Sequence, residues 1–285
     1  TTGTPISMLI PNIDAISKSY ENFKDIYRPG HADLSYDEKY GIRDYRGGGR
    51  SSNRETVGRV AAGAIAKKLL KAMKIKTFGF VQQIGNIKCE KININYIEKN
   101  PLRIADKDKF DEMANLIDSV RKSGDSIGGV IEVRSTGMPA GLGSPVFEKL
   151  DARLSSAIMG IGGVRGFEIG LGFQVASMKG SEVNDIMVGK SKGKVKFRTN
   201  NAGGILGGIS NGNDLILRFA LKPTSSISQK QDSIDNKGKQ KKLQVKGRHD
   251  PCLCPRAVPI AEAMVNLVLL DCILENNLST VKKIT

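Results

Sequence analysis

The stretch from Ala257 to Leu274 is the most apolar in the chain and limits the fold more than any other feature. Pro259, Glu262, Asn266 and Asp271 interrupt it, so it reads as a helix buried inside a protein and not as a membrane span. A helix apolar on nearly every side must be enclosed by other elements. The 285 residues suffice to enclose it within one domain, residues 1–285.

The enclosing elements can be read from spacing. Val57, Val60, Ala61, Ala64, Ile65 and Leu69 recur at helical intervals between Arg54 and Met73. Ser52-Asn53-Arg54-Glu55 ahead of them fits a capping box, with Ser52 as N-cap and Glu55 reaching back. A second amphipathic helix is expected from Asp106 to Lys122, stopped by Gly124. A third is expected from Ser144-Pro145 through Leu150, Leu154 and Ile158. Strands are expected at Ile6–Ile10, within 77–97, at Gly129–Arg134, at Phe167–Gly170 and, half-buried, at Asp214–Leu221. Residues 17–46 show weak periodicity and read as a long loop; 180–200 and 228–244 read as exposed polar segments, the latter mobile. Strands and helices do not alternate as in a doubly wound sheet. The expected class is α+β, with antiparallel sheets covered by helices. The first residue is Thr, and Thr1–Pro5 reads as the middle of a domain, so residues upstream are expected to be missing from the chain.

The formal charge is +15, which favours anionic partners. Cys252 and Cys254 form C-x-C, not the C-x-x-C of common zinc and redox sites, and the chain has two histidines, so no metal site is expected. The cysteines read as reduced and cytosolic, and no signal peptide opens the chain.

Five segments could carry chemistry. Gly47 to Ser52 delivers glycines, Arg50 and the Ser51 and Ser52 hydroxyls to a helix start, which suits an anion, or is a flexible turn with a cap. Arg28-Pro29-Gly30-His31-Ala32-Asp33 holds a His in a Gly/Pro-framed loop, an acid or base at neutral pH or a surface residue. Asn201 to Gly208 brings backbone against something flat, or packs strand on strand. Lys222-Pro223-Thr224-Ser225-Ser226 offers a cation and hydroxyls behind a strand, and suits a phosphate or is a plain loop. Arg248-His249-Asp250-Pro251 precedes the buried helix and holds an anion or makes a structural ion pair.

Gly-His-Ala-Asp, Tyr-Arg-Gly-Gly-Gly-Arg-Ser-Ser, Asn-Ala-Gly-Gly-Ile-Leu-Gly-Gly-Ile-Ser, Lys-Pro-Thr-Ser-Ser and Arg-His-Asp-Pro, in this order, resemble the chorismate synthase family along nearly the whole chain. The resemblance implies a lyase that eliminates phosphate from 5-enolpyruvylshikimate 3-phosphate to give chorismate. It requires reduced FMN without net redox change, and NADPH is a candidate reductant as in some relatives. It implies a β-α-β sandwich of antiparallel sheets around a helical layer, a homotetramer and a cytoplasmic location. Arg50, Ser51, Ser52, Gly207, Lys222, Pro223, Thr224, Ser225, Ser226 and Arg248 match FMN contacts. Ser51 and Ser52 also match residues beside the substrate, and Arg248 matches an Arg shared by flavin and substrate. His31 matches the His that protonates reduced flavin, and Asp250 an Asp beside flavin N5 that assists proton transfer. Gly162-Gly163 stands where relatives often have Asn-Ala, so a contact there would run through backbone. The family's N-terminal Gly-Glu-Ser-His-Gly motif and early arginines do not occur in this chain. Against a nucleic-acid-binding protein, aromatics are 5% of the chain and its Lys-rich stretch reads as one solvated loop. No dinucleotide fingerprint supports a flavin reductase with hydride chemistry.

Overall fold

The protein is described by a computed structural model that covers residues 2–13, 17–46, 49–191, 193–245 and 249–279. Its elements, in order, are α1 Asp33–Tyr40, α2 Thr56–Ala72, β1 Lys76–Ile84, β2 Ile87–Lys88, α3 Phe110–Lys122, β3 Gly129–Thr136, α4 Leu150–Met159 and β4 Val164–Ile169. The one-turn α5 Gly180–Val183 follows, then β5 Met187–Ser191, β6 Lys194–Phe197, β7 Ile205–Leu206, β8 Ile209–Ser210, β9 Leu215–Leu221, β10 Gln231–Ile234, β11 Gln240–Leu243 and α6 Cys254–Asn276.

The scaffold is a five-stranded antiparallel sheet in the order β2-β1-β3-β9-β4. Along β9, Leu215, Leu217, Phe219 and Leu221 are buried and alternate with half-buried residues, as period-two side chains dictate. The buried helix α6 packs on β1 and β3, with α2 and α4 beside it. Its Val258, Ala261, Val265 and Leu269 join Ile131, Val133, Leu217 and Phe219 in one core. Gly63 lets α2 approach α6 closely, since a Cβ there would lie 2.3 Å from the Cβ of Ala263. Pro259 inside α6 has no N–H for the Pro255 carbonyl, and Arg103 Nη1 donates to that oxygen at 3.1 Å instead. The opposite sheet face carries a charged row, in which Arg218 pairs with Glu168 at 2.6 Å and with the buried Glu132 at 3.4 Å. The α+β class is therefore as expected, while the other sheets among the described residues have two strands each.

Several elements differ from expectation. Residues 17–46 contain a 3-10 turn, Ser17–Phe23, and helix α1, which ion pairs and not an apolar stripe hold in place. Residues 228–244 are no plain loop: β10 and β11 form a hairpin, and Leu243 and Val245 pack on Phe23. The third helix begins at Leu150, because residues 144–148 turn instead, with Ser144 N donating to Glu148 O. Residues 6–10 form no strand, and Leu9 is 90% exposed. The capping box is half realised. Ser52 Oγ accepts from Arg54 N at 3.2 Å, but the Glu55 carboxylate pairs forward with Arg59.

Candidate functional site

At the end of the sheet where β4 and β9 meet, three loops converge. Val164 pairs with Leu221, which brings Gly162-Gly163 beside Lys222, and Lys222 N donates to Gly163 O at 2.9 Å. The segment from Lys222 to Ser226 is then tied on both sides. Lys222 Nζ donates to Gly30 O, as does Ser225 Oγ at 2.7 Å, pinning the 28–33 loop across it. Thr224 Oγ1 donates to the Asp250 carbonyl at 3.0 Å, and Ser126 Oγ to the Thr224 carbonyl at 2.7 Å. The result is a groove of about 530 Å³.

Its walls bring together His31, Arg50 and Ser52 with Gly162, Gly163 and all of Lys222, Pro223, Thr224, Ser225 and Ser226. Asp250 reaches it only through its backbone bond to Thr224; its carboxylate pairs with the exposed Arg256 at 3.0 Å. Gly207 sits between β7 and β8 and does not line the groove. Arg248, Gly47 and Gly48 lie outside the described residues, and Ser51 falls in a 3-10 turn with Arg50. The sequence reading passed over Tyr20, Tyr36, Arg43 and Asn53, which also line it. The charged run ending at Arg46 was the available signal for Arg43, but nothing in its spacing shows that Arg43 returns to Asp33.

The electrostatics of the groove divide into a neutralised corner and an unneutralised one. Asp33, 4% exposed, accepts from Arg28 Nε at 2.8 Å, pairs with Arg43 at 3.0 Å and meets His31 Nδ1 at 2.9 Å. Burial pushes its carboxyl up, but the hydrogen bonds from Arg28 and His31 outweigh that and hold it well below the usual carboxylate range. With Nδ1 on the carboxylate, Nε2 is the His31 nitrogen left for other chemistry. Across from this cluster, Arg50 and Arg165 have no carboxylate partner among the described residues, nor has Lys222. Burial, reinforced by the nearby charge of Arg165, pushes the Lys222 ammonium below its usual value. A partly buried ammonium beside exposed guanidinium groups without carboxylate partners is a site for an anion.

The donor set fits the phosphate of a flavin nucleotide and the carboxylates of a small substrate. It offers Arg and Lys for charge, the Ser52 hydroxyl, and a glycine pair that brings backbone close. Space at Gly162 is already tight, because a Cβ there would lie 2.2 Å from Asn53 Oδ1. Among the described residues no cluster of His, Cys, Asp and Glu could hold a metal.

Comparison with known proteins agrees with the geometry. Residues 1–274 match the family model described as chorismate synthase. The chain is 53% identical over 283 residues to the chorismate synthase of Archaeoglobus fulgidus, covering 98% of this chain and 78% of that protein. It is 51% identical over 276 residues to that of Methanocella arvoryzae, covering 95% and 74%. A crystal structure of chorismate synthase superposes with a TM-score of 0.72 at 34% identity, over 86% of this chain and 70% of the other.

Proposed function

Because the chain belongs to the chorismate synthase family, we propose that its groove carries out the elimination of phosphate from 5-enolpyruvylshikimate 3-phosphate, giving chorismate, with reduced FMN bound beside the substrate. The carrying observation is that family-matching segments up to about 190 residues apart line one groove rich in unpaired cations. In the reaction the C–O bond to phosphate and the C6–H bond break, the electron pair becomes a new C=C bond, and nothing is oxidised overall. Reduced FMN, when bound, lends electron density as phosphate leaves.

The chain's own residues divide the remaining work. Arg50, Arg165 and Lys222 hold the phosphate and carboxylate groups. Ser52 directs its hydroxyl to the polar edge of the ligands, while Thr224 and Ser225 spend theirs on the Asp250 and Gly30 carbonyls and hold the wall in place. His31, oriented by Asp33 through Nδ1, carries a proton at Nε2 on the flavin side. Asp250 assists removal of the C6 proton. Its pairing with Arg256 is no obstacle, since a pair with one partner 74% exposed is worth at most about 1 kcal/mol. The family resemblance supports, in the same proposal, the contacts at Gly207 and Arg248, NADPH as reductant, a sandwich with a second sheet, a homotetramer and a cytoplasmic location.

The test is a titration with oxidised FMN, with and without substrate, on the protein and on Lys222→Met. Substrate should tighten FMN binding, because its anions neutralise the facing cations. Loss of the ammonium should weaken FMN at least about tenfold, the worth of one charge-assisted hydrogen bond. Undiminished FMN affinity in Lys222→Met, or FMN affinity that substrate leaves unchanged, would overturn the reading.

A further inference from the structure

A second cavity, of about 690 Å³, shares no lining residue with the groove. It is bounded by the end of α2, the start of β1, the 94–98 segment and the middle of α6. Its volume is that of a small-molecule site.

Asn266, on α6, lines it. The residue is 1% exposed, and neither Nδ2 nor Oδ1 has a hydrogen-bond partner among the described residues. An unpaired buried amide costs about 1–3 kcal/mol. Its helix neighbours Val265, Val268 and Leu269 show that the surroundings accept apolar side chains. Both polar atoms of the amide are therefore free for a ligand in the cavity.

The backbone points to the same place. Among the described residues the non-glycine positions with left-handed backbone are Lys74, φ 64°, and Arg103, φ 51°. Both are basic, and both line this cavity. Backbone strain of this kind collects at ligand sites.

The charge agrees. Lys67, Lys71 and Lys74 follow one stripe of α2 and the turn after it, at i, i+4 and i+7, and Lys76 opens β1. Lys67 is paired with Glu262 and Arg103 with Glu98, whereas Lys71, Lys74 and Lys76 have no carboxylate partner among the described residues. Like charges along one stripe repel, and an anion among them relieves the repulsion. Deeper in, Ile75, Phe78, Ile97 and Val258 make the walls apolar.

We propose that this cavity binds a small anion carried on an apolar ring. The anionic group sits among Lys71, Lys74 and Lys76. The ring lies against Phe78 and Ile97, and a polar substituent reaches the Asn266 amide. The site is independent of the flavin reading, since it draws on none of the groove's residues.

The whole chain is titrated with 4-hydroxybenzoate, benzoate and inorganic phosphate, followed by saturation-transfer NMR and calorimetry. The hydroxyl-bearing ring should bind about tenfold tighter than benzoate, the difference one buried hydrogen bond makes, and phosphate should bind weakest. Asn266→Leu should erase the difference between the two rings. The surface pair Lys71→Ala/Lys76→Ala, which leaves the core untouched, should weaken both rings about tenfold. FMN should displace neither. The proposal fails if neither ring binds at millimolar concentration, or if phosphate binds as well as the rings. It also fails if FMN displaces them, if Asn266→Leu keeps the preference, or if the lysine pair changes self-association but not affinity.

Discussion

The sheet with α6 and the segment from Tyr20 to Arg43 are held by different forces, although both face the groove's surroundings. The first is an apolar frame. Ile131, Leu154, Phe219 and Leu269 are each at most 1% exposed and share one core between sheet and helices, and those helices make their own backbone hydrogen bonds. The second has one small apolar cluster, Phe23 with Leu243 and Val245, and otherwise depends on Asp33 and its partners Arg28, His31 and Arg43. Loops 222–226 and 162–163 are anchored to the frame by strand pairing, whereas the 28–33 loop is laid over them by two hydrogen bonds to one carbonyl, Gly30 O. The difference teaches that the groove has a fixed wall and an electrostatically held wall. The second should respond to pH while the first does not.

Three measurements would break or sharpen that contrast. Phe219→Ala should cost about 3–5 kcal/mol in denaturant unfolding, because the closed core cannot collapse around the loss. Both walls should then fail together. Asp33→Asn should cost less, about 2–3 kcal/mol, and the loss should appear as faster hydrogen exchange confined to residues 28–43. Because the folded pKa of Asp33 is depressed, its contribution is present above the unfolded value of about 4 and fades as pH falls below it. The variant should therefore flatten the acid limb of the stability curve, together with a fall in chorismate turnover from the loss of His31 orientation. An unchanged acid limb would show that the ion cluster does not hold this wall. The smallest effect is expected at the frame's own strained turn. Lys74→Gly relieves the left-handed backbone and should raise stability by about 0.5 kcal/mol in thermal unfolding, with no change at the groove.

Much of the frame was legible from residue order. The period-two burial of Leu215–Leu221, the α3 stripe ending before Gly124 and the buried nature of Ala257–Leu274 each follow from where apolar side chains must go in a local repeat. The Gly-His-Ala-Asp, Arg-Ser-Ser and Lys-Pro-Thr-Ser-Ser segments each have an ordinary loop reading, and only their order together, as a family resemblance, marks them as chemistry; the groove does contain His31, Arg50, Ser52 and Lys222–Ser226. Residues 33–40 and 231–243 carry a loop-like sequence yet form a helix and a hairpin. Their stability comes from partners distant in sequence, Arg28 and Arg43 for the helix and Phe23 for the hairpin, and a local pattern carries no record of those.

By itself, then, the order of residues determined which segments are helix or strand wherever burial is periodic, and which ones bear groups suited to an anionic ligand. Only the tertiary structure decided that Arg43 returns to Asp33 and that the Asp250 carboxylate turns to Arg256. It also decided that Asn266 opens onto a lysine-rimmed cavity. Side-chain periodicity is a property of a few neighbouring residues, so spacing along the chain reveals it. The meeting of charged groups depends on how sheet and helices cross, and spacing along the chain does not encode that distance.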